Sequence, residues 1–312
     1  MKKYGFGVDI GGTTCKIGLF ETSGKILDKW EIPTNKADNG GHILDDVAAS
    51  IDEKMKSASI AKEDVEGIGV GVPGPVLEDG SVSVCVNLGW GQVQVADELS
   101  SKTGLLVKVG NDANVAALGE MWQGGGKGYT GVVMVTLGTG VGGGIIHNGK
   151  IIPGANGAGG EIGHITVNTE ETDTCGCGRH GCLEQYASAT GIVRMAKKLL
   201  AEKDAESSLR GFEPLTAKDI FEEAKKGDAL ALEAVEILGE TLGMALSNIA
   251  CVVNPQVFVI GGGVSRAGDI LIDTVAKHFK EHAFASCKDT KFALASLGND
   301  AGMYGCVQMI LD

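Results

Sequence analysis

Two apolar strand–glycine–strand segments, one at the start of the chain and one near its middle, constrain the fold more than any other feature. Residues 4–10 and 16–20 flank Gly11-Gly12-Thr13-Thr14, and residues 132–137 and 143–147 flank Gly138-Thr139-Gly140-Val141-Gly142. Each reads as a strand, a tight glycine turn and a second strand. Recurrence of one supersecondary unit is the mark of an internal duplication, with a copy at the head of each of two domains. A chain of 312 residues is long enough for two such cores.

Strand and helix signals alternate along the whole chain, which predicts an α/β protein. Ile43, Leu44, Val47, Ile51 and Met55 recur at helical spacing, so an amphipathic helix is expected over 42–58. Short apolar runs at 67–72 and 105–109 predict strands, the first stopped by Pro73-Gly74-Pro75 and the second followed by a helix from Asn111 to about Trp122. Further helices are expected over 187–203, 216–226, 229–252 and 267–282, strands over 256–260 and 292–296, and a terminal helix from Ala301. No low-complexity linker marks the domain junction. It is expected near residue 116, giving a small N-terminal domain of 1–115 plus 300–312 and a large domain of 116–299.

A net charge of −13 argues against a nucleic-acid binder, because phosphate neutralisation needs clustered Lys and Arg. The longest uncharged stretch, 131–148, is broken by glycines and reads as strand–turn–strand rather than a membrane span. No long apolar run follows Lys2 and Lys3, so a secretion signal is not expected. Of eight cysteines, five are scattered and three cluster, the usage of a reducing compartment rather than a disulfide framework. The expectation is a cytoplasmic protein.

Four segments carry chemistry. Asp9-Ile-Gly11-Gly12-Thr13-Thr14 places a carboxylate at a strand end and glycines in the turn, where phosphate can approach backbone N–H groups and Asp9 can hold Mg²⁺ through water. A plain hairpin turn has the same glycines, and Lys16 is as readily an ordinary strand residue as a phosphate ligand. The second loop lacks the Lys-Ser/Thr of a P-loop, so its weight comes from the repetition. Asn111-Asp112 stands where a strand gives way to a helix: either a helix N-cap, or a carboxylate at the strand end where α/β proteins place ligand chemistry. Lastly, Cys175-x-Cys177-x₄-Cys182 with glycines between is how a chain folds tightly around one ion, and a fourth ligand, His164 or His180, would close a structural zinc site. His180 reads as a solvated turn residue.

Together these motifs closely resemble those of the ROK family of sugar kinases, within the actin-like ATPase and hexokinase superfamily. Asp9 to Thr14 is similar to its first phosphate motif, Gly138 to Gly144 to its second, and Gly261-Gly262-Gly263-Val264 to its adenosine motif. Glu161-Ile-Gly-His164 followed by the cysteine cluster and Glu184 resembles its zinc and sugar signature. The resemblance implies two actin-like (ribonuclease H-like) domains, each a mixed sheet with flanking helices, and a deep interdomain cleft. It implies Asp112 as general base, with Asn111, Glu161, His164 and Glu184 on the other sugar hydroxyls and Gly74 and Asn87 as further pocket residues. It implies ATP and Mg²⁺ held by Asp9, Gly11, Gly12, Thr13, Thr14, Lys16, Gly138, Thr139, Gly140, Gly262 and Gly263. His164, Cys175, Cys177 and Cys182 would bind structural Zn²⁺, His164 with one ring nitrogen on the metal and the other toward the sugar.

The leading expectation is phosphorylation of glucose at its 6-hydroxyl. The alternatives are another hexose (fructose, mannose or an N-acetylated amino sugar) and a sugar-responsive repressor, which would need an added N-terminal helix-turn-helix. Small-molecule sugar and ATP are the expected partners, with no nucleic acid or membrane, and a homodimer or tetramer is what the family implies.

Overall fold

A computed structural model describes residues 2–311, which divide by compactness into two units. The first comprises the chain up to residue 130, residues 144–160 and the segment from 297 on; the second comprises 131–143 and 161–296. The elements run β1 (Tyr4–Ile10), β2 (Thr14–Glu21), β3 (Ile26–Pro33), a four-residue turn α1 (Ala37–Gly40), α2 (Ile43–Ser57), β4 (Val65–Val72), α3 (Val95–Thr103), β5 (Val107–Asn111) and α4 (Asp112–Gln123). There follow β6 (Val132–Leu137), β7 (Val141–His147), β8 (Lys150–Ile151), α5 (Glu184–Ala187), α6 (Ala189–Glu202), α7 (Ala217–Lys225), α8 (Ala229–Val253), β9 (Val257–Gly261), α9 (Asp269–His282), β10 (Lys291–Leu294) and α10 (Ala301–Leu311).

The two sheets have the orders β3-β2-β1-β4-β5 and β8-β7-β6-β9-β10. Strand for strand they correspond, so the duplication read from two glycine hairpins extends through five strands of each copy. Both sheets are mixed: β1 pairs antiparallel with β2 and parallel with β4, while β9 pairs parallel with β6 and β10 and β7 pairs antiparallel with β8. The architecture is the expected α/β one, two five-stranded mixed sheets with flanking helices.

In the first unit α2 buries Ile43, Leu44, Val47, Ile51 and Met55 in one cluster with Phe6 and Val8 of β1 and Ile68 and Val70 of β4. The opposite sheet face is built differently. Glycines alternate along β1 and β4, and a Cβ on Gly69 would run into the Cys306 carbonyl of α10. Removing side chains at period two therefore lets a helix lie directly on the pleat. Helices α4 and α10 approach as closely, since a Cβ on Gly305 would collide with the Val115 carbonyl. Gly305→Ala is expected to cost about 1–3 kcal/mol by overpacking, read as a lowered midpoint in thermal unfolding followed by circular dichroism. An unchanged midpoint would mean that the two helices separate without penalty.

Of the elements that were not expected, two are longer than a single turn or bridge. Strand β3 exposes much of its length and α3 is short and polar, so neither has strong periodicity. The compact units also change at residues 130–131 rather than near 116. Helix α4 groups with the first unit because it packs on α10, a contact between segments far apart in sequence. Glu120 reinforces it: fully buried, it accepts hydrogen bonds from the N–H groups of Gly125 (2.8 Å) and Leu297 (2.9 Å). Among the described residues no helix is long and apolar enough to cross a membrane.

Candidate active site

At the carboxyl end of β5 the chain turns into α4 through Asn111, whose extended backbone (φ −64°, ψ 143°) makes it the N-cap. Its Oδ1 accepts from the Ala113 and Asn114 N–H groups at 3.0 and 3.2 Å. Its Nδ2 donates to the Gly74 carbonyl at 3.1 Å and to Asp112 Oδ1 at 3.0 Å. The Ala113 N–H donates to the same Asp112 oxygen at 2.8 Å. The capping reading of Asn111 is realised, and the cap holds the exposed Asp112 carboxylate at the strand end. Gly74, at φ +100°, supplies a carbonyl that another residue would present only under strain.

The first hairpin is closed by Gly11 N–H donating to the Thr14 carbonyl at 2.9 Å, with Thr13 exposed at its tip and Thr14 opening β2. Asp9 and Lys16 are paired across β1 and β2. Burial raises the Asp9 pKa, Lys16 pulls it down, and Asp112 pushes it up again. A Cβ on Gly302 would lie 2.9 Å from Asp9 Oδ2, so this carboxylate rests on the first turn of α10, where the helix dipole favours an anion. Thr34, which sequence reasoning missed, secures the turn from outside: its N–H donates to the Thr13 carbonyl at 2.9 Å and its hydroxyl to the Gly11 carbonyl at 2.6 Å. No local signal marks Thr34, because both contacts cross to another strand.

In the second unit the Gly138–Gly140 turn is anchored to the start of α6. Ala189 N–H donates to the Gly138 carbonyl at 2.8 Å, and the Thr190 hydroxyl to the Thr139 carbonyl at 2.6 Å. Glu184, at the head of α5, lies beside this turn, its Oε2 2.5 Å from where a Cβ on Gly140 would be. Its Oε1 accepts from the Cys175 thiol at 2.9 Å and lies 3.8 Å from His164 Nδ1. Glu161 is exposed and stands at the N-cap position of the short 3₁₀ turn Ile162–His164, without a side-chain capping bond.

Ligand atoms of His164, Cys175, Cys177 and Cys182 all lie within 4.8 Å of one another. Three sulfurs and one imidazole in that span fit a tetrahedral zinc site. His180 is not among them; it is exposed, with Nδ1 3.1 Å from the Asp173 carbonyl, so the choice left open by the sequence falls to His164. Electrostatics favour the thiolate at one of the three sulfurs. The Arg179 backbone N–H and guanidinium draw the exposed Cys177 thiol down to about 6, while burial raises Cys175 to about 12 and also raises Cys182. Arg179 also donates to the His164 carbonyl, so one side chain steadies two of the four residues. It too escaped sequence reasoning, having no motif of its own.

Gly262, at φ +84°, ends β9 against the end of β6, where a Cβ would lie 2.5 Å from the Leu137 carbonyl. Beside it a cavity of ≈ 300 Å³ is lined by Ala189, Lys218, Phe221, Gly263 and Arg266 among others. The Gly263 backbone and the side chains of Lys218 and Arg266 line it, with the nearly buried Phe221 at its wall.

The family model described as "ROK family" matches residues 5–312. The glucokinase of Halalkalibacterium halodurans is 47% identical, over 96% of this chain and 92% of its own length. The glucokinase of Thermotoga maritima is 38% identical, over 97% and 96%. Among solved structures, a ROK family glucokinase from Streptomyces griseus in complex with glucose and AMPPNP superposes with a TM-score of 0.74 at 33% identity, covering 98% of each chain.

Proposed function

We propose that this chain, which belongs to the ROK family, is an ATP-dependent glucokinase that transfers the γ-phosphoryl group to the 6-hydroxyl of glucose. Similarity to glucokinases along nearly the whole chain supports the sugar and the donor. The observation that carries the chemistry is the Asp112 carboxylate, fixed through Oδ1 by Asn111 Nδ2 and the Ala113 N–H at the end of a parallel strand.

In this reading Asp112 accepts the proton of the 6-hydroxyl as its oxygen forms a bond to the γ-phosphorus and the bond to ADP breaks in line. Asn111, Glu161, His164 and Glu184 accept and donate hydrogen bonds to the remaining hydroxyls, and Gly74 and Asn87 complete the pocket. Gly11 and Gly138 shape the two phosphate turns, each with its N–H bonded inside its own turn; the backbone N–H groups of Gly12 and Gly140, with the hydroxyls of Thr13, Thr14 and Thr139, receive the phosphates; Lys16 tunes Asp9, and Gly262 and Gly263 receive the adenosine. Asp9 would hold Mg²⁺ through water, and the ion would supply charge neutralisation on the phosphates. His164, Cys175, Cys177 and Cys182 hold one Zn²⁺ with no position left open, a structural role only. A metal would take one ring nitrogen of His164 and leave the other available to a hydroxyl. The proposed setting is the cytoplasm, where reduced thiols and ATP coexist.

An ADP-release assay across glucose, fructose, mannose and N-acetylated amino sugars tests the assignment, with glucose expected to give the highest kcat/KM. A higher value for another hexose moves the enzyme to that sugar. Sugar binding without turnover on any of them would turn the reading to a sugar-responsive regulator.

A further inference from the structure

The first hairpin has a neighbour that no motif marks. A methyl group built on Gly12 would lie 3.7 Å from Lys36 Nζ and 3.6 Å from the Asn87 carbonyl oxygen. The turn assigned to phosphate, an ammonium, and the segment bearing a sugar-pocket asparagine therefore meet at one point. We propose that Lys36 is the cation that contacts the transferred phosphoryl group and balances its charge in the transition state. The inference rests on the kinase reading above and deepens it by naming this group.

The backbone carrying Lys36 is set firmly for a surface loop. Thr34 ties its base to both the Gly11 and Thr13 carbonyls. Beyond Lys36, Asp38, Asn39 and Gly40 all have positive φ (52°, 56° and 75°), a left-handed turn that costs free energy at the two non-glycine positions. Contacts from the Trp90 segment hold it. The Trp90 indole N–H donates to the Gly40 carbonyl at 3.0 Å in a buried contact, and a side chain on Gly40 would strike the Leu88 carbonyl. So the unusual turn aims Lys36 back over the glycine hairpin.

Charge argues the same way. In a chain of net charge −13 a cation beside a phosphate turn is an exception. Lys16 is the other candidate, but it sits in β2 opposite Asp9 and acts on that carboxylate. Lys36 is exposed and enters no ion pair among the described residues, so its ammonium is available to a ligand. Phosphoryl transfer spreads negative charge over the equatorial oxygens, and a point charge placed in advance lowers that barrier. Lys36 takes no part in the proton transfer: the proton of the sugar hydroxyl goes to Asp112 and the leaving group is ADP.

The test compares Lys36→Met and Lys36→Arg with the native enzyme, reading kcat, KM for ATP and glucose, the unfolding midpoint, and calorimetric affinities for AMPPNP, ADP and AMP with Mg²⁺. Lys36→Met is expected to lower kcat/KM for ATP by about 10²-fold, leave the midpoint and the glucose KM unchanged, and weaken AMPPNP while sparing AMP. Lys36→Arg should recover part of the loss. Unchanged kinetics in Lys36→Met, or equal weakening of AMP and AMPPNP, overturns the assignment while the kinase reading stands. A native chain with no turnover on any hexose removes both.

Discussion

Asp112→Asn is expected to lower kcat by about 10²–10⁴-fold, the usual contribution of a general base. The substitution isolates basicity from structure. Asp112 Oδ1 accepts from Asn111 Nδ2 and the Ala113 N–H, and an amide oxygen can accept both bonds. The N-cap of α4 belongs to Asn111, so the helix start is untouched. The unfolding midpoint and the calorimetric affinity for glucose should therefore stay close to native while turnover in an ADP-release assay collapses. Residual kcat within tenfold of native would remove Asp112 from the role of base.

The second large effect is expected at the cysteine cluster. Metal analysis of the purified protein should find about one zinc per chain, and Cys177→Ala, or treatment with a strong chelator, should remove it. Cys177 is the right ligand to truncate because it is exposed, so its loss leaves no cavity; Cys182 is fully buried and would confound metal loss with packing. The consequence should fall on the sugar. As a thiol, Cys175 donates to Glu184 Oε1 at 2.9 Å; as a metal-bound thiolate it has no proton to give, and that oxygen returns to accepting a hydroxyl. Metal loss would also free the His164 tautomer. The glucose KM is expected to rise about 10–100-fold, in line with losses when a site's supporting contacts are removed. Native protein without zinc, or a Cys177→Ala variant with native glucose KM, would separate the cluster from sugar binding.

The two effects bear on different parts of the chain. Asp112 belongs to the first unit and depends on a helix cap; the cysteine loop belongs to the second and depends on an ion. A loss of kcat at constant glucose affinity in one variant, and the reverse in the other, would be hard to obtain from general destabilisation.

The amino-acid sequence by itself determined the layer pattern and most of the candidate chemistry. Apolar period two and period 3.6 are local, so β1, β2, α2, α4 and the long α8 could be read directly. Glycine turns and the Cys-x-Cys spacing are local as well, since a tight turn or a chelate must close within a few residues. What only the tertiary structure decided were the pairings between distant segments. The choice of His164 over His180 rests on which imidazole reaches three sulfurs, a distance that order along the chain cannot give. The placing of α4 with the first unit rests on α10, which arrives at the end of the chain. Thr34, Arg179 and Lys36 carry no motif: each lies beside a backbone carbonyl, a thiol or a turn that folding alone brings to it. Spacing fixes what a segment can do to itself, while the partners of an isolated polar side chain exist only once the chain has closed.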